Sequence, residues 1–246
     1  SAGSANTASY LAGQRGRNLR FYVDHLNEPG YMGVKNLLRT GQFFGLQYIY
    51  QTLTNSDGAD PIDYPAIMAN PAEFELVATD AATGKPVYFT KDDMKQDDYR
   101  AIMASCALPV MCRPISFKDQ TYFDGGLSDS VPIMRAFAKG CDRVVVILSK
   151  PRSFVKQPEG FRHIYRHALR KYPQTIAALD NRHLMYRQNI ADVKKQESAG
   201  KALVFAPSKE LKMSTYARDE KLEQELYDLG ISDFDARLNE LHTFLS

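Results

Sequence analysis

Apolar positions along the chain follow two periods. Between Thr7 and about Leu26 they recur at helical spacing, with Ala8, Leu11 and Ala12 on one face, and a second helical stretch is predicted between Val34 and Leu53. After the loop S-D-G-A-D-P (56–61) the pattern changes. F-E-L-V-A-T-D (74–80) and P-V-Y-F-T (86–90) read as strands joined by the glycine-containing turn A-A-T-G-K, and 97–107 is helical until Pro109 limits it. I-S-F-K-D-Q-T-Y-F-D-G-G (115–126) reads as a hairpin whose second arm ends at Asp124. The nearly continuous apolar run at 142–149 suits a strand buried on both faces of a mainly parallel sheet. A long helix over Ile176–Glu197, a strand at 202–206 and two helices within 219–245 separated near Gly230 complete the reading. Helices alternating with buried strands predict an α/β layer architecture, without internal repeats or low-complexity segments.

Composition narrows the class. Of 246 residues 44% are hydrophobic and 24% charged, with a mean hydropathy of −0.38, the ordinary range of globular chains. No apolar run is long enough to cross a bilayer. The balance of 31 Lys and Arg against 29 Asp and Glu leaves +2, too little to argue for nucleic acid. Cys106, Cys112 and Cys141 lack metal-site spacing and read as reduced thiols, which points to a cytoplasmic location; a peripheral place at a membrane is an alternative raised by the basic segment at 150–172. His163 and His167 are spaced i, i+4, but without a Glu as in H-E-x-x-H or a third ligand they read as a surface pair. One segment departs from the even charge: Lys150, Arg152, Lys156, Arg162, Arg166, Arg170 and Lys171 stand against Glu159 within 150–172. Its default reading is a solvated face; beside Phe154, Phe161 and Tyr165 it is also a candidate for docking on an anionic membrane surface.

Three short blocks carry candidate chemistry. Ser1-Ala2-Gly3 has the trailing half of a G-x-S-x-G elbow, in which small neighbours let a serine sit on a sharp turn. Y-F-D-G-G (122–126) places Asp124 at a strand end, with Gly125 and Gly126 to permit positive φ and leave room beside the carboxylate. A-S-C-A-L-P (104–109) by itself is only a helix ending before a proline. Asp129 and Ser130 are placed to cap the helix after Pro132, and Asp80 is read as a turn former.

In this order the three blocks resemble the patatin-like phospholipase family. Its G-x-S-x-G, A-S-x-A-x-P and D-G-G or D-G-A blocks are matched by Ser1 to Gly3, Ala104 to Pro109 and Asp124 to Gly126. The stretches 9–18, 77–89 and 221–230 look like a bacterial branch of the family, so the resemblance spans nearly the whole chain. It implies a three-layer α/β/α sandwich of patatin type, here lacking its N-terminal strand or strands and its glycine-rich loop, with a C-terminal helical extension. The hydrolase domain is expected over 1–206 and the extension over 207–246. The resemblance further implies a Ser-Asp dyad in which Ser1 attacks an ester carbonyl, Asp124 takes its proton and an acyl-enzyme is hydrolysed by water. Lipid or phospholipid esters are the implied substrates. No metal or organic cofactor is implied, and the five histidines need no catalytic role. A free aspartate has a pKa near about 3.9, so such a dyad depends on its surroundings to make the carboxylate an effective base.

No G-G-G-x-R-G block, the family's source of oxyanion donors, occurs in the sequence. The chain is therefore expected to be truncated at the nucleophile and nearly inactive alone, since one lost oxyanion donor costs about 10²–10³ in rate. The missing segment could be a separate peptide, or the exposed sheet edge could pair two copies into a homodimer. Two other functions fit the opening serine: an N-terminal-nucleophile hydrolase using its own amine as base, and a non-catalytic lipid-binding or interaction module.

Overall fold

The structure is a computed structural model that describes residues 1–211 and 218–246. In chain order its helices are α1 (Ala2–Leu11), α2 (Arg17–Val23), α3 (Val34–Thr40), α4 (Tyr64–Ala69), α5 (Arg100–Cys106), α6 (Ile133–Ala138), α7 (Arg162–Ala168), α8 (Pro173–Ser198), α9 (Glu220–Asp235) and α10 (Leu238–Leu245). The strands are β1 (Glu75–Asp80), β2 (Pro86–Thr90), β3 (Ile115–Phe117), β4 (Gln120–Asp124), β5 (Val144–Ile147) and β6 (Ala202–Phe205). The expected α/β class, with helices at the C-terminal end, is what the chain forms. Two compact units divide it, Ser1–Asp129 with Pro158–Arg182, and Ser130–Gln157 with His183–Ser246.

The first unit is built on a four-stranded antiparallel sheet in the order β2-β1-β4-β3. Both hairpins fall where alternation and turn residues predict them, and β4 ends at Asp124, opposite Ala78 of β1. Successive residues of β4 point to opposite faces. Tyr122 joins a core with Ala8 and Leu11 of α1, Ile67 of α4 and Ile102 and Met103 of α5, whereas Phe123 joins Tyr165 and Leu169 near α7 and Leu179 of α8. Within this unit the sheet is thus covered by helices on both sides. α5 is buried from Ala101 to Ser105, which its run of small and apolar residues permits.

The Thr7–Leu26 stretch is two helices rather than one, separated by a turn that ends at Gly16. α2 carries Arg17 inward. This guanidinium, 4% exposed, donates to Ser9 Oγ (3.1 Å), Thr54 Oγ1 (3.0 Å) and the Asp60 carbonyl (2.8 Å), and its Nε lies 3.4 Å from Asp60 Oδ1. Arg20 clamps both oxygens of the same carboxylate, at 2.7 and 2.8 Å. Burial pulls Arg17 below its usual value while Asp60 opposes that shift. The stretch between Val34 and Leu53 is likewise divided, into α3 and a π-helical turn at Tyr48–Leu53.

In the second unit β5 and β6 pair in parallel. The expected burial of β5 on both faces does not occur, because among the described residues the sheet has only these two strands; Val146 is buried against Ile133 and Val193, but Ile147 is 78% exposed. Gly230 does not separate the last two helices. It lies inside α9, where an isolated glycine costs only about 1 kcal/mol, and the break falls at Ala236 and Arg237. Asp129 and Ser130 do not cap α6, which starts after Pro132 without a side-chain cap. Asp129 instead accepts from the Tyr88 hydroxyl (2.7 Å), and the Ser130 N–H donates to Asn189 Oδ1 (3.1 Å).

The basic segment is partly neutralised within each unit. Arg152 donates to both oxygens of Glu197 (2.8 and 2.6 Å), and Arg162 and Arg166 both bind Asp180. His163 and His167 are exposed, and among the described residues no three His, Cys, Asp or Glu side chains form a candidate metal cluster. The three cysteines are free thiols.

Candidate active site

Ser105 is the polar residue of the otherwise apolar helix end A-I-M-A-S-C-A, and it is fully buried. A hydroxyl in that position must find partners, and its partners are the start of α1. The Ser1 nitrogen donates to Ser105 Oγ at 2.8 Å, and Ser4 Oγ lies 2.8 Å from the same atom. Ser1 itself is exposed at the N-cap position of α1, with its side chain uninvolved in capping. Gly3 has open space around it and no positive φ, so nothing among the described residues demands glycine there.

Two residues beyond Ser105, the Ala107 carbonyl accepts the Asp124 N–H at 2.9 Å. The A-S-x-A-x-P block therefore ties both other blocks down. Cys106 lies between the two attachments. Burial pushes its thiol up, and the nearby Asp124 raises it further. The Tyr50 hydroxyl also contacts that sulfur, at 3.4 Å.

Asp124 is fully buried. One carboxylate oxygen, Oδ1, accepts the Gly126 N–H at 2.7 Å; the other, Oδ2, is buried without a hydrogen-bond partner. Its carbonyl accepts from Thr79 Oγ1 (2.8 Å), which also meets Ser128 Oγ (2.8 Å). The glycine after it is needed for a reason other than positive φ. A Cβ on Gly125 would stand 2.1 Å from the Val77 carbonyl oxygen, so the chain turns out of β4 at van der Waals contact with β1. Asp80, the competing acid at the end of β1, accepts from Thr83 N and Oγ1 (both 2.7 Å) and is a turn former as expected.

No hydrogen bond joins Ser1 Oγ to the Asp124 carboxylate, and the partner that the Ser1 nitrogen finds is Ser105. Two concavities, of about 510 and 230 Å³, have neither Ser1 nor Asp124 in their walls. Sequence reasoning used Ser105 only as a block marker and overlooked Thr79 and Cys106. For Ser105 a signal existed, since a lone hydroxyl in a buried helix implies a specific partner.

The family model described as patatin-like phospholipase matches residues 1–137, more than half of the chain. The chain belongs to the patatin-like phospholipase family. Beyond the match to this family, residues 172–246 match a domain of unknown function (DUF6363). The uncharacterized protein YjjU of Escherichia coli (strain K12) is 23% identical over 167 residues, which cover 68% of this chain and 46% of that protein. The chain thus spans about half the length of that relative. No helix among the described residues is long and apolar enough to cross a membrane.

Proposed function

We propose that this patatin-like phospholipase family member is a serine acyl hydrolase of lipid esters, with Ser1 as nucleophile and Asp124 as its base. The observation that carries the reading is the Asp124 carboxylate, fully buried with one oxygen held by Gly126 and the other unpartnered. Leaving a buried charged oxygen unsatisfied costs more than the 1–3 kcal/mol typical of a neutral group. A purely structural aspartate has no reason to carry that cost, whereas a general base must keep one oxygen free.

In the proposed reaction Ser1 Oγ attacks the ester carbonyl carbon while its proton passes to Asp124 Oδ2. The tetrahedral intermediate collapses with cleavage of the bond to the leaving alcohol, which departs with that proton. Water then attacks the acyl-Ser1 carbonyl and gives a proton to Asp124; the second intermediate collapses with cleavage of the acyl–Oγ bond, the carboxylic acid leaves and Asp124 returns the proton to Ser1 Oγ. The Ala2 N–H, in the first turn of α1, has no intrahelical acceptor and stands beside the nucleophile, and the positive end of α1 favours a developing negative charge there. Ser105, through its contacts with Ser1 and Ser4, positions that helix start. The reading requires Ser1 Oγ and Asp124 Oδ2 to meet in the substrate complex, since hydrogen bonds of catalytic groups commonly tighten only there.

The test is hydrolysis of a short-chain p-nitrophenyl ester, expected to be slow in this chain without a G-G-G-x-R-G block and therefore read at high enzyme concentration, together with labelling by a fluorophosphonate. Ser1→Ala is expected to abolish both, and Asp124→Asn to lower hydrolysis by about 10³-fold or more. Hydrolysis by Asp124→Asn at the parent rate would exclude the dyad and favour a serine that uses another base.

A further inference from the structure

The chain between Met32 and Phe44 is an excursion closed at its base by an antiparallel bridge between those residues. The Gly33 N–H donates to the Phe43 carbonyl and the Gly45 N–H to the Tyr31 carbonyl, both at 2.8 Å. Inside it, α3 is bounded by Gly33 at φ 119° and Gly41 at φ 73°, backbone that residues with a Cβ rarely adopt. The short helix is therefore held in place by its boundaries.

Its amphipathicity is inverted. Asn36 is 2% exposed and donates to the carbonyls of Gln42 (3.1 Å) and Phe43 (3.4 Å). Val34, Leu37 and Leu38 are 64%, 40% and 82% exposed. Val34 and Leu38 lie i, i+4 and share a face, with Leu37 beside them. Single exposed apolar residues need no explanation, but three on a seven-residue helix whose Asn36 points inward mark a contact surface.

Charge identifies what that surface meets. From Pro29 to Ser56 the sequence holds no Asp or Glu, while Lys35 and Arg39 lie i, i+4 on α3. The Arg113 guanidinium adds a third cation, with Nη2 3.1 Å from the point a Cβ on Gly41 would occupy. None of the three makes an ion pair among the described residues, whereas Arg152, Arg162 and Arg166 of the basic segment are matched by Glu197 and Asp180. Glu28, the acid that precedes the stretch, is engaged by Tyr48 and His25.

The excursion is also seated on the chain that leads from the candidate site. The Phe43 N–H donates to the Met111 carbonyl (2.7 Å) and the Arg113 N–H to Gln42 Oε1 (3.2 Å), within the segment that begins at Ala107, the acceptor of the Asp124 N–H. We propose that α3, with Val34, Leu37 and Leu38 ringed by Lys35, Arg39 and Arg113, is the surface by which this protein docks on an anionic phospholipid bilayer. The choice of a bilayer as partner rests on the lipid-ester reading above. Apolar side chains enter the headgroup boundary while the cations meet lipid phosphates.

Co-sedimentation of the 246-residue chain with phosphatidylcholine vesicles, with and without phosphatidylglycerol, tests the surface without any need for catalysis. The parent should bind the phosphatidylglycerol vesicles preferentially and lose that preference as salt rises. Leu38→Asp and, separately, Val34→Asp should each lower partitioning about 10-fold or more. Lys35→Gln with Arg39→Gln should lower it about 10-fold on anionic vesicles alone. All should melt at the parent temperature and hydrolyse a soluble ester at the parent rate. Parent-level binding by these variants, or equal binding to neutral and anionic vesicles, overturns the proposal. So does a homodimer that Leu38→Asp dissociates with no change in vesicle binding, which would assign the face to a second copy. Asp124→Asn separates the two readings, since it should retain vesicle binding while soluble ester hydrolysis is lost.

Discussion

Two buried aspartates in the first unit are treated in opposite ways. Asp60, 6% exposed, receives a two-pronged clamp from Arg20, a further contact from Arg17 and a neighbour in His25 Nε2 at 3.8 Å. Asp124, fully buried, has one N–H on one oxygen and nothing on the other. Carboxylates used to hold a fold together are saturated with donors, because each unsatisfied lone pair in a low-dielectric interior costs free energy. One left half-empty at a strand end suits a group that takes up a proton during turnover. On the proposed reading, function and stability separate between two residues of the same type.

The largest effect expected from breaking that contrast is on rate. Asp124→Asn should remove about 10³-fold or more of esterase activity while leaving the thermal midpoint unchanged or higher, since a buried charge without a counter-charge disappears. Asp60→Asn should do the reverse. It strips the buried Arg17 of its counter-ion, so the unfolding free energy in urea should drop by about 3–5 kcal/mol. Equal thermal losses in both variants would erase the distinction.

Gly125→Ala tests how the Asp124 carboxylate is aimed. The added methyl meets the Val77 carbonyl and forces the strand end to move, with an expected cost of about 1–3 kcal/mol in urea unfolding and a fall in esterase rate. Ser105→Ala leaves the Ser1 nitrogen and Ser4 hydroxyl without their shared partner, so kcat should decline about 10-fold with roughly 1 kcal/mol of stability. Restoration of both by Ser105→Thr would identify the hydroxyl as the cause.

The smallest effect concerns Asp180. Its burial opposes ionisation, but hydrogen bonds from Tyr165, Arg162 and Arg166 outweigh that and hold its carboxyl down at about 2. A carboxyl lowered on folding contributes stability above its unfolded value, near about 3.9, and loses it as pH falls toward the folded value. Asp180→Asn should thus melt below the parent at neutral pH, and the gap should close between about pH 4 and 2. A gap that persists unchanged at pH 2 would show that the carboxylate's charge is not its cause.

The first unit's strands were legible because their signals are local. Alternation with a glycine turn places β1, β2 and the β3–β4 hairpin to within about a residue, and with them Asp124 at a strand end. The break between α1 and α2 had a signal that the single-helix reading of 7–26 passed over: Ala12–Gly16 has no apolar residue after Ala12, and Gly13 and Gly16 both take positive φ where the chain turns. The sheet's direction was not legible. A run such as V-V-V-I favours a strand but does not say how many partners it has, and β5 has one. Of the candidate site, the residue types and their blocks could be read from sequence; that Ser105 holds the start of α1 while Ala107 holds Asp124 could not.

Sequence alone determined the strands and the long helix α8 and which side chains could carry an acyl-transfer reaction, because periodicity and residue chemistry act over a few neighbours. Tertiary structure decided that Asp124 is buried with an empty oxygen, that Asp60 is saturated and that α3 faces its leucines outward. Those outcomes depend on what residues distant in the chain bring to the same place, and burial sets the energy of a charge or an apolar surface only after the fold has closed around it.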